Sequence, residues 1–291
     1  MASLRSWYRL IKPGIVYGNA WHFLAGGLVA MTSLSQFSAL FWGLVGTSMI
    51  VAAACVTNNI IDRKYDAIMH RTKKRAVASG EIRTLHAVVF SVLLLLVGSF
   101  VLYSFVPITV LVLGMLGYIG YSFIYTYSKR ITPRSTLIGT FPGSIPIVAG
   151  YAAISGELNS TAWLLFLFIA AWQMTHFYAI TIFRKDDYKA ANLPVLSVVR
   201  PFQRVWMEMF VYWVVYIGSA TVLTFWGDLN LLPGAILITL GLWWGWQVWL
   251  GRNIKKIPAQ QKWAKSVFVR SLLLSMLLPG VMALQFVIQL V

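Results

Sequence analysis

Apolar runs close to the length of a bilayer crossing recur along the whole chain, broken by short polar stretches. They predict nine spanning helices, at about 14–30, 38–60, 85–104, 107–125, 136–155, 161–182, 207–226, 231–250 and 267–288. The count follows from the charges. All 24 Lys and Arg fall before the first run or in alternate connections after it: 63–83, 129–134, 184–204 and 252–270. The opposite turns carry only Glu157 and Asp228. Nine crossings keep every basic stretch on the inside, with the N-terminus inside and the C-terminus outside. Seven or ten would spoil the alternation. Arg5, Arg9 and Lys12 before the first run resemble a signal-peptide start, but Asn19 and His22 interrupt that run and more spans follow. It therefore reads as a retained helix. The expected fold class is all-α, a polytopic membrane protein of nine transmembrane helices. A single integral-membrane domain over 1–291 is expected, because no segment outside the spans exceeds a few tens of residues.

Composition agrees. The chain is 59% hydrophobic and 11% charged, less than half of the roughly 25% charged share of soluble proteins. The net charge of +16 reflects the positive-inside rule and gives no reason to expect a nucleic-acid partner. The one cysteine, Cys55, excludes an intrachain disulfide and reads as a small buried hydrophobe.

The chemistry concentrates in NNIIDRKYDAIMHRTKKR, residues 58–75. Asn58, Asp62 and Asp66 recur every four residues, which places them on one helical face. Two carboxylates about 6 Å apart repel by roughly 3 kcal/mol at an effective dielectric near 20. A divalent cation removes that penalty, and Asp and Asn oxygens suit Mg²⁺, which shares its remaining positions with water and phosphate. Arg71, Lys73, Lys74 and Arg75 follow as natural phosphate partners. A Mg²⁺–diphosphate site at a membrane edge is the reading. An ordinary basic inside loop explains the charge equally well. The aligned face favours the site, since it holds two of only eight acidic residues.

A second acidic stretch, FRKDDYKAANLPVL at 183–196, follows the sixth span on the same side. The recurrence four helices later suggests an internal repeat, with the two acidic loops facing each other across a central cavity. Asp187, more than Asp186, is the candidate for a second Mg²⁺; a solvated turn is the plain alternative. Between them, Lys129 and Arg130 in YTYSKR are placed to hold diphosphate, although snorkelling at an inside end accounts for them nearly as well. Asn19, two turns beyond Lys12, should face protein or cavity. Gln173 and His176 share a face within the sixth span, where polar groups are costly in lipid and are functional candidates. An interhelical structural histidine is the competing view. His22 is a weaker case of the same kind, and His70 and His86 receive no role.

These residues resemble a known family. The 58–75 stretch is similar to the N-x-x-x-D-x-x-x-D motif of intramembrane prenyltransferases, the UbiA superfamily. It is closer still to the N-x-x-x-D-R-x-x-D-x-x-M-x-R-T form of the protohaem IX farnesyltransferases, or haem O synthases. KPGI at 12–15, GTFPGSIPIVAGY at 139–151, WQMTHF at 172–177 and the 183–196 stretch continue the likeness, over about 10–270. The second loop departs from the broader D-x-x-x-D pattern, because Ala191 stands four residues after Asp187. It matches the D-Y-x-x-A-N-x-P of the haem-directed branch, which leaves a second Mg²⁺ in doubt.

The resemblance implies nine helices around a central lipid-accessible cavity. It implies transfer of farnesyl from farnesyl diphosphate to a vinyl group of haem B, giving haem O. Mg²⁺ would sit on Asn58, Asp62 and Asp66, with Asp62, Asp66 and His176 catalytic. Arg71, Arg75, Lys129, Asn19 and Asp187 would bind substrate. His176 would ligate iron, orient a propionate or act as a base, and the sequence does not choose. The implied setting is a bacterial inner membrane and its lipids, with haem A synthase or terminal-oxidase assembly downstream. Two other classes remain: a prenyltransferase acting on a quinone precursor or other aromatic, and a transporter, which has no need of an Asn-Asp-Asp face backed by arginines.

Overall fold

The computed structural model describes residues 3–70 and 72–290. Among these the chain is helical, without a strand. In chain order the helices are α1 (Leu4–Leu10), α2 (Pro13–Ala30), α3 (Phe37–Ile68), α4 (Thr84–Phe105) and α5 (Ile108–Ile119). After a π-helical segment, Gly120–Tyr125, come α6 (Thr126–Ile131), α7 (Ser135–Ser155), α8 (Ser160–Phe183), α9 (Lys185–Ala190) and α10 (Leu196–Val199). The last three are α11 (Phe202–Trp226), α12 (Leu231–Trp249) and α13 (Ile257–Leu290).

Among the described residues, eight helical stretches are long and apolar enough to cross a membrane, with α5, the π segment and α6 counting as one continuous stretch. The expected first span, α2, is 18 residues long but is not among those eight. Its polar Asn19 and His22 and its four glycines lower its hydropathy. Protein rather than lipid covers much of it, since Phe23, Ala25 and Val29 are fully buried. The crossing of α2 with α7 depends on glycine. A Cβ at Gly26 would lie 1.9 Å from the Ile147 carbonyl oxygen, and one at Gly150 would lie 1.9 Å from that of Phe23. Small residues thus let the two backbones meet.

Burial separates a central layer from a peripheral one. The apolar windows of α7 and α8 are 72% buried and that of α4 only 22%, so α7 and α8 form the interior and α4 faces lipid. Polar contacts mark the two ends of the bundle. At the basic end, Lys129 pairs with Asp62, Arg134 and Arg204 with Glu208, and Gln261 with Asp186. At the other, the Tyr151 hydroxyl donates to Asp228 (2.9 Å), and the Gln285 amide donates to the Asp228 carbonyl (2.7 Å). The alternation of charge along the chain is therefore an alternation in space.

One boundary differs from the sequence expectation. The helix expected to end near 125 continues to Ile131 through the π segment, so Lys129 and Arg130 stand on a helix rather than in a loop.

Candidate active site

A cavity of about 490 Å³ opens within the bundle, lined from α2, α3 and the connection after it, α5 to α8, α9 and the segment after it, and α13. That size is usual for a small-molecule site. Its polar groups gather at two poles.

The charged pole lies at the basic end. The i, i+4 spacing on α3 brings Asn58, Asp62 and Asp66 to the cavity wall, all buried. The Asn58 amide donates to Asp62 Oδ2 (3.0 Å) and to Thr126 Oγ1 (2.7 Å), while its oxygen accepts from the Lys12 ammonium. Asp62 also accepts from Lys129 Nζ (2.5 Å) and Arg130 Nη2 (3.3 Å). Arg75 Nη1 donates to both oxygens of Asp66, at 2.9 and 2.7 Å. The two carboxylates therefore do not face each other unscreened: cations from two other parts of the chain, Arg75 and the Lys129–Arg130 pair, already neutralise them. Lys12 ends the connection before α2 with a left-handed backbone, φ 53°. Burial, then the Arg75 charge, pushes its ammonium down to about 7.

Rings line the pole. Lys129 Nζ lies 5.1 Å from the centre of the Tyr125 ring, Lys12 Nζ 5.9 Å from that of Tyr121, and the Arg130 guanidinium 4.5 Å from that of Tyr65. Tyr121 and Tyr125 both belong to the π segment, whose wider turn brings the two to the wall together.

The neutral pole joins α2, α7, α8 and α13. His176 stacks on Trp172, with centroids 4.8 Å apart and planes at 21°, and His22 meets the same indole edge-on at 5.3 Å. Each imidazole bonds a serine of α13: His176 Nδ1 to Ser271 Oγ at 2.6 Å, and His22 Nε2 to Ser275 Oγ at 3.0 Å. The Trp172 indole donates to the Ser271 carbonyl (3.1 Å). The Gln173 amide donates to Ser144 Oγ (3.2 Å), and its buried oxygen Oε1 has no hydrogen-bond partner among the described residues.

Most of the expected site residues meet here. Asn58, Asp62, Asp66, Arg75 and Lys129 form one pole, and His176 belongs to the other. Asn19 lines the cavity half-buried, its amide donating to the Ile15 carbonyl (2.8 Å). Arg71 lies outside the described residues. Asp187 is half-buried on α9 and is not part of the lining; from its stretch Tyr188, Leu193 and Val195 reach the cavity instead. The second acidic stretch thus faces the cavity through apolar and aromatic side chains.

The sequence reading held His22 as a weaker candidate than His176 and gave no role to Tyr121, Thr126, Ser271 or Ser275. The available signal was the pair of serines four residues apart in the apolar stretch that follows Arg270, where hydroxyls seek partners.

Among the described residues no three His, Cys, Asp or Glu side chains cluster as a metal site. The donor set of the charged pole is two carboxylates and one amide, all oxygen, which fits Mg²⁺ sharing its sphere with water and phosphate.

A protein from Protochlamydia amoebophila named protoheme IX farnesyltransferase is 36% identical over 265 residues, covering 91% of this chain and 93% of its own. A protein of that name from Aliivibrio salmonicida is 37% identical over 271 residues, covering 92% of each. The solved structure of a UbiA homologue from Archaeoglobus fulgidus, bound to GPP and Mg²⁺, superposes with a TM-score of 0.71 at 12% identity, covering 97% of this chain and 99% of its own, which shows a shared fold. The model of the UbiA prenyltransferase family matches residues 19–272. The chain belongs to the UbiA prenyltransferase family.

Proposed function

We propose that the chain transfers a farnesyl group from farnesyl diphosphate to a vinyl group of haem B, giving haem O, with Mg²⁺ assisting departure of the diphosphate. The observation that carries this reading is the two-pole cavity: an acidic face held among cations at one end, and an aromatic, neutral pocket at the other. The names of relatives 36% and 37% identical over most of the chain support haem as the acceptor.

Asn58, Asp62 and Asp66 would hold Mg²⁺. Bound there, the metal supplies Lewis-acid stabilisation of charge on the leaving diphosphate. The surrounding cations exchange partners as the donor binds. Lys129, Arg130 and Arg75 turn from carboxylate to phosphate oxygens, and Lys12 joins them; Arg71 is assigned the same task from its position in the motif. Ile50, Val51, Ala54, Gly114 and Gly117 give the isoprenoid tail an apolar wall and keep water from the departing group. Tyr121 and Tyr125 turn aromatic surface toward the allylic cation. The neutral pole receives the porphyrin.

By the positive-inside rule, the basic end faces the cytoplasm of a bacterial inner membrane, with the N-terminus on that side. The whole chain acts as one integral-membrane domain.

The test is to incubate the purified protein with haem B, farnesyl diphosphate and Mg²⁺ and to weigh the pigment by mass spectrometry. Haem O is expected, and its formation should cease with chelator. Prenylation of a quinone precursor, with haem left unchanged, would move the chain to another branch of the family.

A further inference from the structure

The neutral pole contains two hydrogen-bond acceptors on one face of α8, Gln173 Oε1 and His176 Nε2. Ser271 Oγ lies 2.6 Å from the Phe268 carbonyl and donates its only hydrogen there. It therefore accepts from His176 Nδ1, 2.6 Å away, and the proton on the imidazole is fixed at Nδ1. Nε2 is left with a bare lone pair. One helical turn earlier on the same face of α8, Gln173 Oε1 is buried and without a partner among the described residues. Its amide is held by Ser144 through Nε2 (3.2 Å). A Cβ at position 143 would lie 2.1 Å from this oxygen, so Gly143 leaves it room. A buried carbonyl oxygen without a donor costs about 1–3 kcal/mol, and both residues line the cavity.

Two adjacent acceptors do not suit a metal-bound porphyrin alone. An iron ligand needs the imidazole nitrogen and leaves the amide oxygen unmet. A water molecule satisfies both with its two hydrogens, and its oxygen lone pairs then point away from them, into the cavity.

We propose, resting on the haem reading above, that Gln173 Oε1 and His176 Nε2 hold the water that completes the product, with His176 as its general base. The donor C–O bond breaks and its electron pair leaves with the diphosphate. The vinyl π pair forms the new C–C bond to farnesyl, which leaves a cation on the vinyl carbon next to the porphyrin. The held water gives a lone pair to that carbon and a proton to His176 Nε2. The proton then passes to the released diphosphate, so donor, haem and water yield hydroxylated adduct and protonated diphosphate. Ser271 is a positioning residue: it keeps Nε2 unprotonated and aimed.

Without a held water, the same cation loses a proton and gives an alkene one water lighter. The experiment reads that partition. Full-length protein with Mg²⁺, haem B and farnesyl diphosphate is turned over in ¹⁸O-labelled water, and the pigments are weighed. Wild type should give labelled hydroxyl product. His176→Gln and Gln173→Met should shift the ratio toward alkene by about tenfold or more, the lower range of general-base effects, while donor binding stays near wild type. Ser271→Ala should shift it less, because the ring remains. An unchanged ratio in His176→Gln and Gln173→Met overturns the inference. So does loss of a haem absorbance change in His176→Gln at unchanged ratio, which would make His176 an iron ligand. If His176→Gln does not fold, Gln173→Met decides alone. Wild type that farnesylates no haem overturns the haem reading itself.

Discussion

The two poles of the cavity solve opposite problems. At the charged pole every carboxylate is matched by a cation from elsewhere in the chain: Asp62 by Lys129 and Arg130, Asp66 by Arg75. Both carboxylates have cationic partners and the Lys12 ammonium rests on the neutral Asn58 oxygen, so a charged ligand enters by exchanging partners. At the neutral pole no ion pair forms among the described residues, and their hydrogen bonds leave Gln173 Oε1 unmet. A ligand enters there by supplying what is missing. The difference predicts that substitutions at the first pole act through charge balance, and those at the second through a single hydrogen bond.

The largest effect is expected from Asp62→Asn. The side chain is nearly isosteric, but Lys129 and Arg130 lose their counter-charge and any Mg²⁺ loses a carboxylate. The Asp62 and Lys129 side chains are 9% and 18% exposed, so the charges left behind are poorly solvated. Turnover should fall by about a hundredfold or more, the scale of losing a main electrostatic group, and added Mg²⁺ should not restore it. Asp66→Asn should lose less, because Arg75, at 29% exposure, can turn to solvent. Steady-state kinetics across a Mg²⁺ series checks both. Equal activity of Asp62→Asn and wild type would remove the metal from Asp62.

A smaller effect should follow from Lys129→Met. The methionine keeps the apolar stem but removes the ammonium that bonds Asp62 and lies over Tyr125. Donor affinity should weaken by about tenfold, the scale of one charge-assisted bond of about 1.5 kcal/mol. Binding measured by calorimetry should show the loss, and saturating donor should recover most of the turnover. If turnover at saturation fell as far as in Asp62→Asn, Lys129 would act in the transition state and not mainly in binding.

These poles were not equally legible in the sequence. The bilayer demands long apolar runs, and the membrane field sorts cations, so the helices and the two ends can be read from composition alone. The face of Asn58, Asp62 and Asp66 follows from local periodicity. Its neutralisation does not, because Lys129 and Arg130 reach it from 67 and 68 positions away, along a helix whose π turn no periodicity predicts. The expected repulsion between carboxylates was an argument from two residues of α3 that lacked the cations of α6. At the neutral pole, His176 and Gln173 were visible as costly polar groups. Ser271 was not, since a serine in an apolar helix acquires meaning only when an imidazole 95 residues earlier packs on it. His22 and Ser275, 253 residues apart, are the same case.

Asp187 is where the sequence pattern and the folded geometry diverge most, and it carries the smallest predicted effect. The pattern makes it a second acidic site by symmetry with the first. The fold places it half-buried on a six-residue helix, while Tyr188 beside it and Leu193 and Val195 beyond it face the cavity. Among the described residues no cation pairs with it in the way Arg75 pairs with Asp66, and the Gln261 amide lies 3.4 Å from its neighbour Asp186. A carboxylate that shapes the cavity only through the backbone beside it should tolerate loss of its charge. Asp187→Asn should therefore change turnover by less than about twofold, within the ~0.5 kcal/mol of a surface substitution away from such features. Tyr188→Ala, which opens the wall itself, should cost more. The paired measurement is turnover of both variants at saturating and limiting donor. If Asp187→Asn instead matched Asp66→Asn and its loss depended on Mg²⁺ concentration, the second acidic stretch would hold metal after all, and α9 would have to turn toward the cavity when the donor is bound.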